Sequence, residues 1–563
     1  MVQPRKYFTG VGRRRGTDGW SVFALAAAVV VSVPVLVVVA HVFVPAGDVW
    51  RHLAETVLAR YITNSLWLML GVGVGTLVIG VGTAWLVTMC RFPGRGVFEW
   101  ALLLPMAVPA YVIAYTYTGL LEFSGPVQTG LRELFGWSRG EYWFPEIRSL
   151  GGAVAMMSLV LYPYVYLLSR AAFLQQSVTA LEVGRTLGSG PWRCFATVAL
   201  PLARPAIATG VALALMETLN DFGTVQYFAV DTFTTGIFRT WLGMGEPQAA
   251  AQLAAALLAF VFVLVVLERL SRGRGLVHHA TPLYHELPRY HLDGRLSAVA
   301  LLACLAPIVL GFLLPGAALM AWASATADKM IGLDFVALAF NSFFLATTAA
   351  VLAVVVALTI AYGIRLRPTR PKLIAARIAA MGYAVPGAVI AVGVLIPFAW
   401  LDSQLNDWLQ ASFGFTPGLV LSGTIVAVTF AYLVRFLAVS LNTVESSFAK
   451  VTVRIDDAAR SLGQRPLASL FRVHVPLISG GLLTAGLLVF VDVMKELPAT
   501  LILRPFNFDT LAIRTYQLAS DERLMDAAAP ALAIVVVGII PVIVLSVAIA
   551  RSRPGQGPEK EME

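Results

Sequence analysis

Residues 20–44 read WSVFALAAAVVVSVPVLVVVAHVFV, a run that contains no Asp, Glu, Lys or Arg. A helix rises about 1.5 Å per residue and the hydrocarbon core of a bilayer is about 30 Å thick, so about 20 such residues cross it. The run follows Arg13, Arg14 and Arg15, but it is too long for the apolar core of a signal peptide. We therefore expect it to be a membrane-spanning helix that is retained.

Eleven further segments share this length and apolar character. Of the 563 residues, 58% are hydrophobic and only 13% are charged, whereas about 25% of residues in soluble domains are charged. The sequence therefore predicts an all-α, polytopic membrane protein with about twelve spans. We place the spans at 20–44, 62–89, 98–121, 150–172, 204–228, 248–267, 296–322, 341–364, 374–400, 419–441, 478–503 and 527–550.

Basic residues cluster in the loops that an even number of spans places on one side of the membrane. Lys and Arg prefer the cytoplasmic side, so we expect both termini to be cytoplasmic and the protein to lie in the inner or plasma membrane. The formal net charge of +9 then reflects contacts with anionic lipid in the bilayer. We expect no nucleic-acid partner, because the sequence has no basic soluble domain. The clusters are Arg91 and Arg95; Arg185 and Arg193; Arg365, Arg367, Arg370 and Lys372; and Arg551 and Arg553.

An internal repeat divides the chain into two halves. Asn64–Ser65 recurs as Asn341–Ser342, and Ala107–Val108–Pro109 recurs as Ala384–Val385–Pro386, both at an offset of 277 residues. From Gly188 onward the offset is 275 residues. A stable offset indicates that a six-span unit was duplicated head to tail, which gives parallel repeats. We expect two homologous six-helix halves that form a pseudo-twofold pair.

The segment between the halves is polar, punctuated by Gly and Pro, and rich in Arg and His, which is typical of a linker. No acidic or cysteine partner recurs there at ligand spacing, so we expect a solvated linker rather than a metal site. Its histidines are His278, His279, His285 and His291. The predicted organisation is a cytoplasmic tail at 1–19, a first half at 20–267, a cytoplasmic linker at 268–295, a second half at 296–550 and a cytoplasmic tail at 551–563.

A polar segment that follows the fourth span returns in the same frame after the tenth. Residues 182–201 read EVGRTLGSGPWRCFATVALP, and residues 457–476 read DAARSLGQRPLASLFRVHVP. Both copies begin with an acid and have Gly six positions later, Val at sixteen, an aliphatic residue at eighteen and Pro at nineteen. The Gly allows a short helix to end and turn, and a second short helix can begin at the next Pro.

This pattern resembles the cytoplasmic E-A-A loop of binding-protein-dependent ABC importer permeases, here of the type with two fused halves. The resemblance covers both halves and implies the type I ABC importer permease fold. It also implies that residues 181–201 and 456–476 are coupling loops, each docked on an ATPase subunit. The first loop departs from the family pattern, since Val183–Gly184 stands where the family has two alanines. The coupling residues that the resemblance implies are Glu182, Gly188, Pro191, Leu200, Pro201, Asp457, Ala458, Ala459, Gly463 and Pro476.

The chain has no sequence signature for ATP binding or for catalysis. None of its six Lys residues follows a Gly, so the G-x-x-x-x-G-K-[ST] phosphate loop is absent, and neither H-E-x-x-H nor G-x-S-x-G occurs. We therefore expect a transport subunit that is not an enzyme and binds no cofactor itself. The resemblance implies two copies of a separate ABC ATPase that uses Mg-ATP, and a substrate-binding protein at the outer face.

Acidic residues occur inside two repeat-equivalent spans. Glu217 and Asp221 lie four apart in the fifth span, where we expect them on one helix face; their equivalents in the eleventh span are Asp492 and Glu496. A charge at mid-bilayer costs roughly 2.5–3.5 kcal/mol, so such residues normally face a partner or a wet cavity. One interpretation is that the four acids line a translocation path for a cation. The other is that Lys495 neutralises Asp492 and the remaining acids pair with polar groups between helices.

Two groups of tyrosines lie in the third and fourth predicted spans. Phenol groups can coordinate a ferric ion or stack on an organic cation, although they more often pack between helices or lie at the membrane interface. The sequence leaves the set of metal ligands undetermined. The tyrosines are Tyr111, Tyr115, Tyr117, Tyr162, Tyr164 and Tyr166.

Three segments are similar to the ferric-iron permeases among the fused-half importers. They are NDFGT at 220–224, MKELPAT at 494–500 and LRPFNFDTLA at 503–512. The similarity implies that a binding protein delivers Fe³⁺ to this chain. Permeases for thiamine, phosphonate and polyamines share the architecture and remain alternatives. An ion-coupled secondary transporter would also have twelve spans and a repeat, but it would not need two coupling loops.

Overall fold

Long apolar segments form helices because a helix satisfies its own backbone polar groups where no water is present. The structure is a computed structural model, and it describes residues 19–45, 47–138, 140–175, 191–271 and 289–551. The described residues are mostly helical, and they contain one short parallel pairing of strand β1 (Cys90–Arg91) with strand β2 (Tyr290–His291).

The helices of the first half include both long spans and short connecting segments. They are α1 (Gly19–His41), α2 (Gly47–Thr56), α3 (Leu58–Met89), α4 (Arg95–Ala101), α5 (Ala110–Leu121), α6 (Pro126–Phe135), α7 (Leu150–Gln175), α8 (Pro191–Cys194), α9 (Leu200–Asn220), α10 (Gly223–Tyr227), α11 (Phe233–Phe238) and α12 (Pro247–Ser271). Shorter turns are a 3₁₀-helix at Leu104–Ala107 and π-helices at Phe195–Ala199 and Arg239–Gly243.

The helices of the second half follow the same order. They are α13 (Gly294–Ile308), α14 (Leu314–Met330), α15 (Leu333–Leu366), α16 (Arg370–Ala379), α17 (Gly387–Phe413), α18 (Ile425–Ala449), α19 (Val453–Ser461), α20 (Pro466–Ser469), α21 (Val475–Leu477), α22 (Ser479–Met494), α23 (Pro498–Leu503), α24 (Leu511–Ser520) and α25 (Ala528–Arg551). Shorter turns are a 3₁₀-helix at Gly382–Ala384 and π-helices at Val309–Leu313 and Leu470–His474.

The described residues contain nine continuous helical runs that are long and apolar enough to span a bilayer, and two more candidate spans are bent pairs. Arg95–Ala107 meets Ala110–Phe135 at 89°, and Pro466–Leu477 meets Ser479–Met494 at 78°. A shorter apolar helix, Ala528–Val544, lies where the twelfth span is predicted. These elements confirm the predicted all-α, polytopic fold.

Several of the predicted span boundaries are wrong. The eleventh span, placed at 478–503, is interrupted between Met494 and Pro498. The fifth span, placed at 204–228, is a helical run that extends from Trp192 to Asn220. The ninth span, placed at 374–400, is interrupted, since α16 ends at Ala379 and α17 begins at Gly387.

The repeated Ala-Val-Pro sequence is the cause of this interruption, and it breaks the third span in the same way. Pro109 and Pro386 have ψ angles of 144° and 143° and each is followed by a helix, α5 or α17. Proline lacks a backbone N–H and disfavours helical geometry in the residue before it, so a helix stops there and a new one starts.

The repeated Asn residues make the same contact in both halves. Asn64 donates from Nδ2 to the carbonyl oxygen of Asp231 at 2.9 Å, and Asn341 donates to the carbonyl oxygen of Asp509 at 3.1 Å. Each bond joins the start of a long helix, α3 or α15, to the segment before a short one, α11 or α24. The sequence repeat is therefore also a repeat of tertiary structure.

The first span of each half packs on the other half. Helix α1 lies against α15, α16 and α17 of the second half, with the ring of Trp20 5.3 Å from that of Tyr362. Helices α13 and α14 lie against α3, α4 and α5 of the first half, where Trp322 covers Gly119. The two halves are thus interlocked around the surface where α9 and α22 end.

Gly382 lies in the break before α17, where neighbouring atoms pack closely around it. At Gly382 a Cβ atom would overlap the carbonyl oxygen of Val434, whereas a Cβ at Gly480, on α22, would meet no atom within 4 Å. We expect Gly382→Ala to lower the free energy of unfolding by about 1–3 kcal/mol, the usual cost of overpacking. Thermal unfolding of the purified chain checks this, with Gly480→Ala as the matched control. Equal stability of the two variants would contradict the packing described.

Candidate functional site

A cavity of about 110 Å³ lies between the two halves. It is bounded by the C-terminal ends of α9 and α22 and by the start of α5. Tyr164, near the middle of α7, and Arg435, near the middle of α18, also line it. Because both of these helices are candidate spans, the cavity lies near the middle of the membrane.

The four acids singled out from the sequence all line this cavity: Glu217, Asp221, Asp492 and Glu496. Two bases join them, Lys495 and Arg435. The cavity therefore has an excess of negative charge. Sequence reasoning missed Arg435, although an Arg inside the tenth predicted span is the kind of signal that reveals such a site.

The prediction that Asp221 lies on the same helix as Glu217 is wrong. Helix α9 ends at Asn220, and Asp221 has extended backbone geometry with a ψ of 134°. Its Oδ1 accepts hydrogen bonds from the backbone N–H groups of Thr224 at 2.9 Å and Val225 at 3.2 Å. The carboxylate thus satisfies backbone donors at the start of α10, which would otherwise be unpaired.

In the second half, Glu496 likewise accepts hydrogen bonds from backbone N–H groups at the start of a short helix, α23. Its Oε1 accepts from the backbone N–H of Ala499 at 2.9 Å, and its Oε2 accepts from the backbone N–H of Thr500 at 3.0 Å. Arg435 donates from Nη1 to Oε1 at 3.0 Å. The Glu496 side chain is only 1% exposed, so its charge is held by these donors and is not available to a solute.

Among the acids that line the cavity, Glu217 and Asp492 are more exposed than Glu496. Their side chains are 25% and 22% exposed, far more than that of Glu496. Arg435 Nη2 lies 3.9 Å from Glu217 Oε2, and Lys495 Nζ lies 3.1 Å from Asp492 Oδ1. The Lys495–Asp492 pair of the second interpretation is present, and the acids line a cavity, whereas a translocation path stays a prediction.

A hydrogen bond between the halves closes one wall of the cavity. Asn220 Oδ1, at the end of α9, accepts from the backbone N–H of Gly387 at 2.6 Å. A Cβ at Gly387 would lie 2.6 Å from Arg435 Nη1 and 2.8 Å from Glu496 Oε1. Only glycine lets the start of α17 approach this ion pair so closely.

Of the six tyrosines considered from the sequence, two line the cavity. These are Tyr111 and Tyr164, and Tyr383 joins them from the second half. Tyr111 is buried, and its hydroxyl has no hydrogen-bond partner among the described residues. The cavity therefore offers phenol and carboxylate oxygens. The other four tyrosines, Tyr115, Tyr117, Tyr162 and Tyr166, are buried outside it.

The described part of the chain contains no group of three His, Cys, Asp or Glu side chains that could hold a metal ion. Its three cysteines, Cys90, Cys194 and Cys304, are buried thiols. Of the linker histidines, His278, His279 and His285 lie outside the described residues. An ion in the cavity would thus meet carboxylates from opposite halves rather than a compact cluster of ligands.

The second predicted coupling loop is fully described. Asp457, Ala458 and Ala459 lie on α19, and Pro476 lies on α21. Helix α19 ends at Ser461, and Gly463, two residues later, has a φ of +73° that strongly favours glycine. The N–H of Gly463 donates to the carbonyl oxygen of Arg460 at 2.9 Å. The loop also exposes four large apolar side chains, a feature typical of a protein contact surface. They are Val453, Leu462, Leu467 and Phe471.

Only part of the first predicted coupling loop is described. Residues 181–190, which include Glu182 and Gly188, lie outside the described residues. Pro191 begins α8, and Leu200 and Pro201 begin α9, with the proline in the first turn where no N–H donor is needed.

Comparison with known proteins places these features in context. Residues 76–272 match the model of a family described as the inner membrane component of binding-protein-dependent transport systems. The Fe(3+)-transport system permease protein of Haemophilus influenzae is 27% identical over 499 residues, which cover 87% of this chain and 90% of that protein. The sulfate transport system permease protein of Escherichia coli is 30% identical over 36% of this chain and 73% of that protein. The molybdenum transport system permease protein of Escherichia coli is 28% identical over 35% of this chain and 88% of that protein.

The ion pair in the cavity wall makes a testable contribution to stability. Arg435 and Glu496 are both buried, and removing one partner of a buried pair leaves an uncompensated charge. We expect Arg435→Met to lower the free energy of unfolding by about 3–5 kcal/mol. Arg51→Met, which removes an exposed ion pair with Asp48, should change it by about 1 kcal/mol or less. Thermal unfolding in detergent compares the two, and a stable Arg435→Met variant would refute the pairing.

Proposed function

The chain belongs to the family of inner membrane components of binding-protein-dependent transport systems, and we propose that the cargo it carries is ferric iron. A component of this kind is a multi-pass permease that works with an ATPase and a substrate-binding protein. The observation that carries the iron proposal is the acidic cavity between the halves, with Glu217 and Asp492 open to it.

The charge of the cavity favours a cation over an anion. Four carboxylates face two bases, and Arg435 is bound to Glu496, so little positive charge is free to attract an oxyanion. Carboxylate and phenol oxygens are hard ligands, which suit a hard ion such as Fe³⁺. The relatives named for sulfate and molybdenum match only about a third of this chain, whereas the relative named for Fe(3+) matches 87% of it.

The size of the cavity favours a single ion over an organic molecule. Its volume of about 110 Å³ is small, since pockets for drug-sized ligands usually have about 300–1,000 Å³. Thiamine and polyamines are cations but would need a larger space, and a phosphonate would be repelled by Glu217 and Asp492. The described residues contain no cluster of three metal ligands. This arrangement suits an ion that binds briefly during passage rather than one that is bound permanently.

Energy for transport would enter through the two coupling loops. We assign one ATPase copy to each loop, and Mg-ATP to those subunits rather than to this chain. The exposed apolar side chains around α19 supply a docking surface in the second half. With both termini in the cytoplasm, as the distribution of Arg and Lys indicates, both loops lie on the side where ATP is available.

The geometry supports a rocking mechanism. The halves meet where Asn220 bonds to Gly387, directly beside the Arg435–Glu496 pair. A movement of the coupling loops would shift α9 and α22, whose ends form the cavity wall, and would expose Glu217 and Asp492 first to one side and then to the other. The ion would pass between carboxylates of opposite halves, so that neither half binds it alone.

Uptake of radiolabelled iron tests the proposal. Cells that lack this chain, and the same cells complemented with it, are given labelled Fe³⁺, thiamine or molybdate in parallel. We expect complementation to restore uptake of iron alone, and ATP depletion to abolish it. Restoration of thiamine or molybdate uptake alone would discard the iron assignment. Uptake that continues on an ion gradient without ATP would instead indicate a secondary transporter.

The two open carboxylates should determine the rate of iron uptake. Glu217→Gln and Asp492→Asn keep the size of each side chain but remove its charge. We expect each to lower iron uptake by about tenfold or more, since a contact with a charged group contributes about 1.5–3 kcal/mol. Asp407→Asn, outside the cavity lining, is the matched control and should transport normally. If both cavity variants take up iron at the parental rate, at equal membrane levels, these acids have only a packing role.

A further inference from the structure

The second half holds another buried group of polar and charged side chains, at the second coupling loop and outside the cavity lining. Asp456, on α19, directly precedes the acid of the second coupling motif. Arg365 Nη2, at the end of α15, lies 2.8 Å from Asp456 Oδ2, and His474 Nε2 lies 2.7 Å from Asp456 Oδ1. Asp456 and His474 are buried. Such a cluster is costly to assemble unless its geometry is fully satisfied.

Arg365 also binds two further elements. Its Nη1 donates to the carbonyl oxygen of Phe448 at 2.8 Å, and its Nη2 donates to that of Val451 at 3.0 Å. Phe448 belongs to the last turn of α18, and Val451 to the connection between α18 and α19. One guanidinium therefore ties together α15, α18 and the second coupling loop.

We propose that Arg365, Asp456 and His474 form a clamp that positions the second coupling loop on α15 and α18. A displacement of the loop is then passed to these two long helices as a rigid movement. The inference rests on the proposed docking of an ATPase at this loop. The three residues are positioning residues, since none of them touches the cavity.

The first half has an equivalent aromatic pair here, but its sequence lacks the three clamp residues. The ring pair Trp85–Phe173, at 5.6 Å, corresponds by the repeat offset to Tyr362–Phe448, at 6.2 Å. The positions equivalent to Arg365, Asp456 and His474 hold residues that carry no charge. They are Thr88, Leu181 and Ala199.

The described part of the first coupling loop is held by aromatic packing. The ring of Phe195, within that loop, lies 4.8 Å from the ring of Trp85. Apolar packing is non-directional, whereas an ion pair with several hydrogen bonds fixes one orientation.

The test measures movement directly and needs no substrate. The complex of this chain with its ATPase is purified into lipid nanodiscs, with spin labels at Val78→Cys and Val355→Cys. Both positions are exposed, on α3 and α15, whereas the natural cysteines are buried. The separation of the labels is measured by electron paramagnetic resonance without nucleotide and after trapping with ATP and vanadate.

We expect ATP trapping to shift the separation of the two spin labels in the parent complex. The Asp456→Asn complex should lose most of that shift, although its ATPase remains bound and hydrolyses ATP. Arg365→Gln should behave like Asp456→Asn. Arg523→Gln, which breaks an exposed ion pair with Asp526, should keep the full shift. If Asp456→Asn fails to fold, His474→Gln serves as a milder variant, because glutamine retains a hydrogen-bond donor. We expect His474→Gln to lose part of the shift in label separation.

A full shift in Asp456→Asn and in His474→Gln would overturn the clamp. A parent complex that binds no ATPase, or shows no shift on trapping, would instead contradict the proposed docking of the coupling loops, and the clamp with it. Iron uptake does not enter this measurement, so a wrong substrate assignment leaves its result unchanged.

Discussion

A helix that ends in the middle of a membrane leaves backbone N–H and C=O groups where no water can reach them, and each unpaired group costs several kcal/mol. Asn220 and Met494 are two such ends in the part of the chain that the structure describes. Asp221 and Glu496 resolve the problem by accepting the first N–H groups of the short helices that follow. The charged cavity is a consequence, because the carboxylates that cap these helices must lie where the helices break.

The two halves share this scaffold but differ in their charges. Both supply the capping acid and a second acid one turn earlier, whereas the bases of the cavity, Arg435 and Lys495, come only from the second half. Asn220 stands at the position equivalent to Lys495 and makes the hydrogen bond to Gly387 instead. At the second coupling loop, the Arg365–Asp456 ion pair has uncharged residues, Thr88 and Leu181, at the equivalent positions of the first half. Duplication thus produced a symmetric frame in which the bases of the cavity come from one half.

The sequence predicted the spans, the repeat and the acids of the site, because apolar length, a stable offset and charge inside a span are all local signals. It did not predict that α9 ends at Asn220, since the spacing of Glu217 and Asp221 fits a continuous helix equally well. Arg435 was missed because its meaning depends on Glu496, 61 residues later in the chain. The sequence did not predict the clamp for the same reason, because Arg365, Asp456 and His474 meet only through tertiary packing.

If a cation passes between Glu217 and Asp492, it should be visible there during transport. Anomalous X-ray scattering locates iron in crystals of the complex, loaded with Fe³⁺ by its binding protein and arrested during the ATP cycle. We expect an iron peak within the cavity, with oxygen ligands from both halves. An arrested complex whose iron peak lies elsewhere along the chain, with the cavity empty, would contradict it.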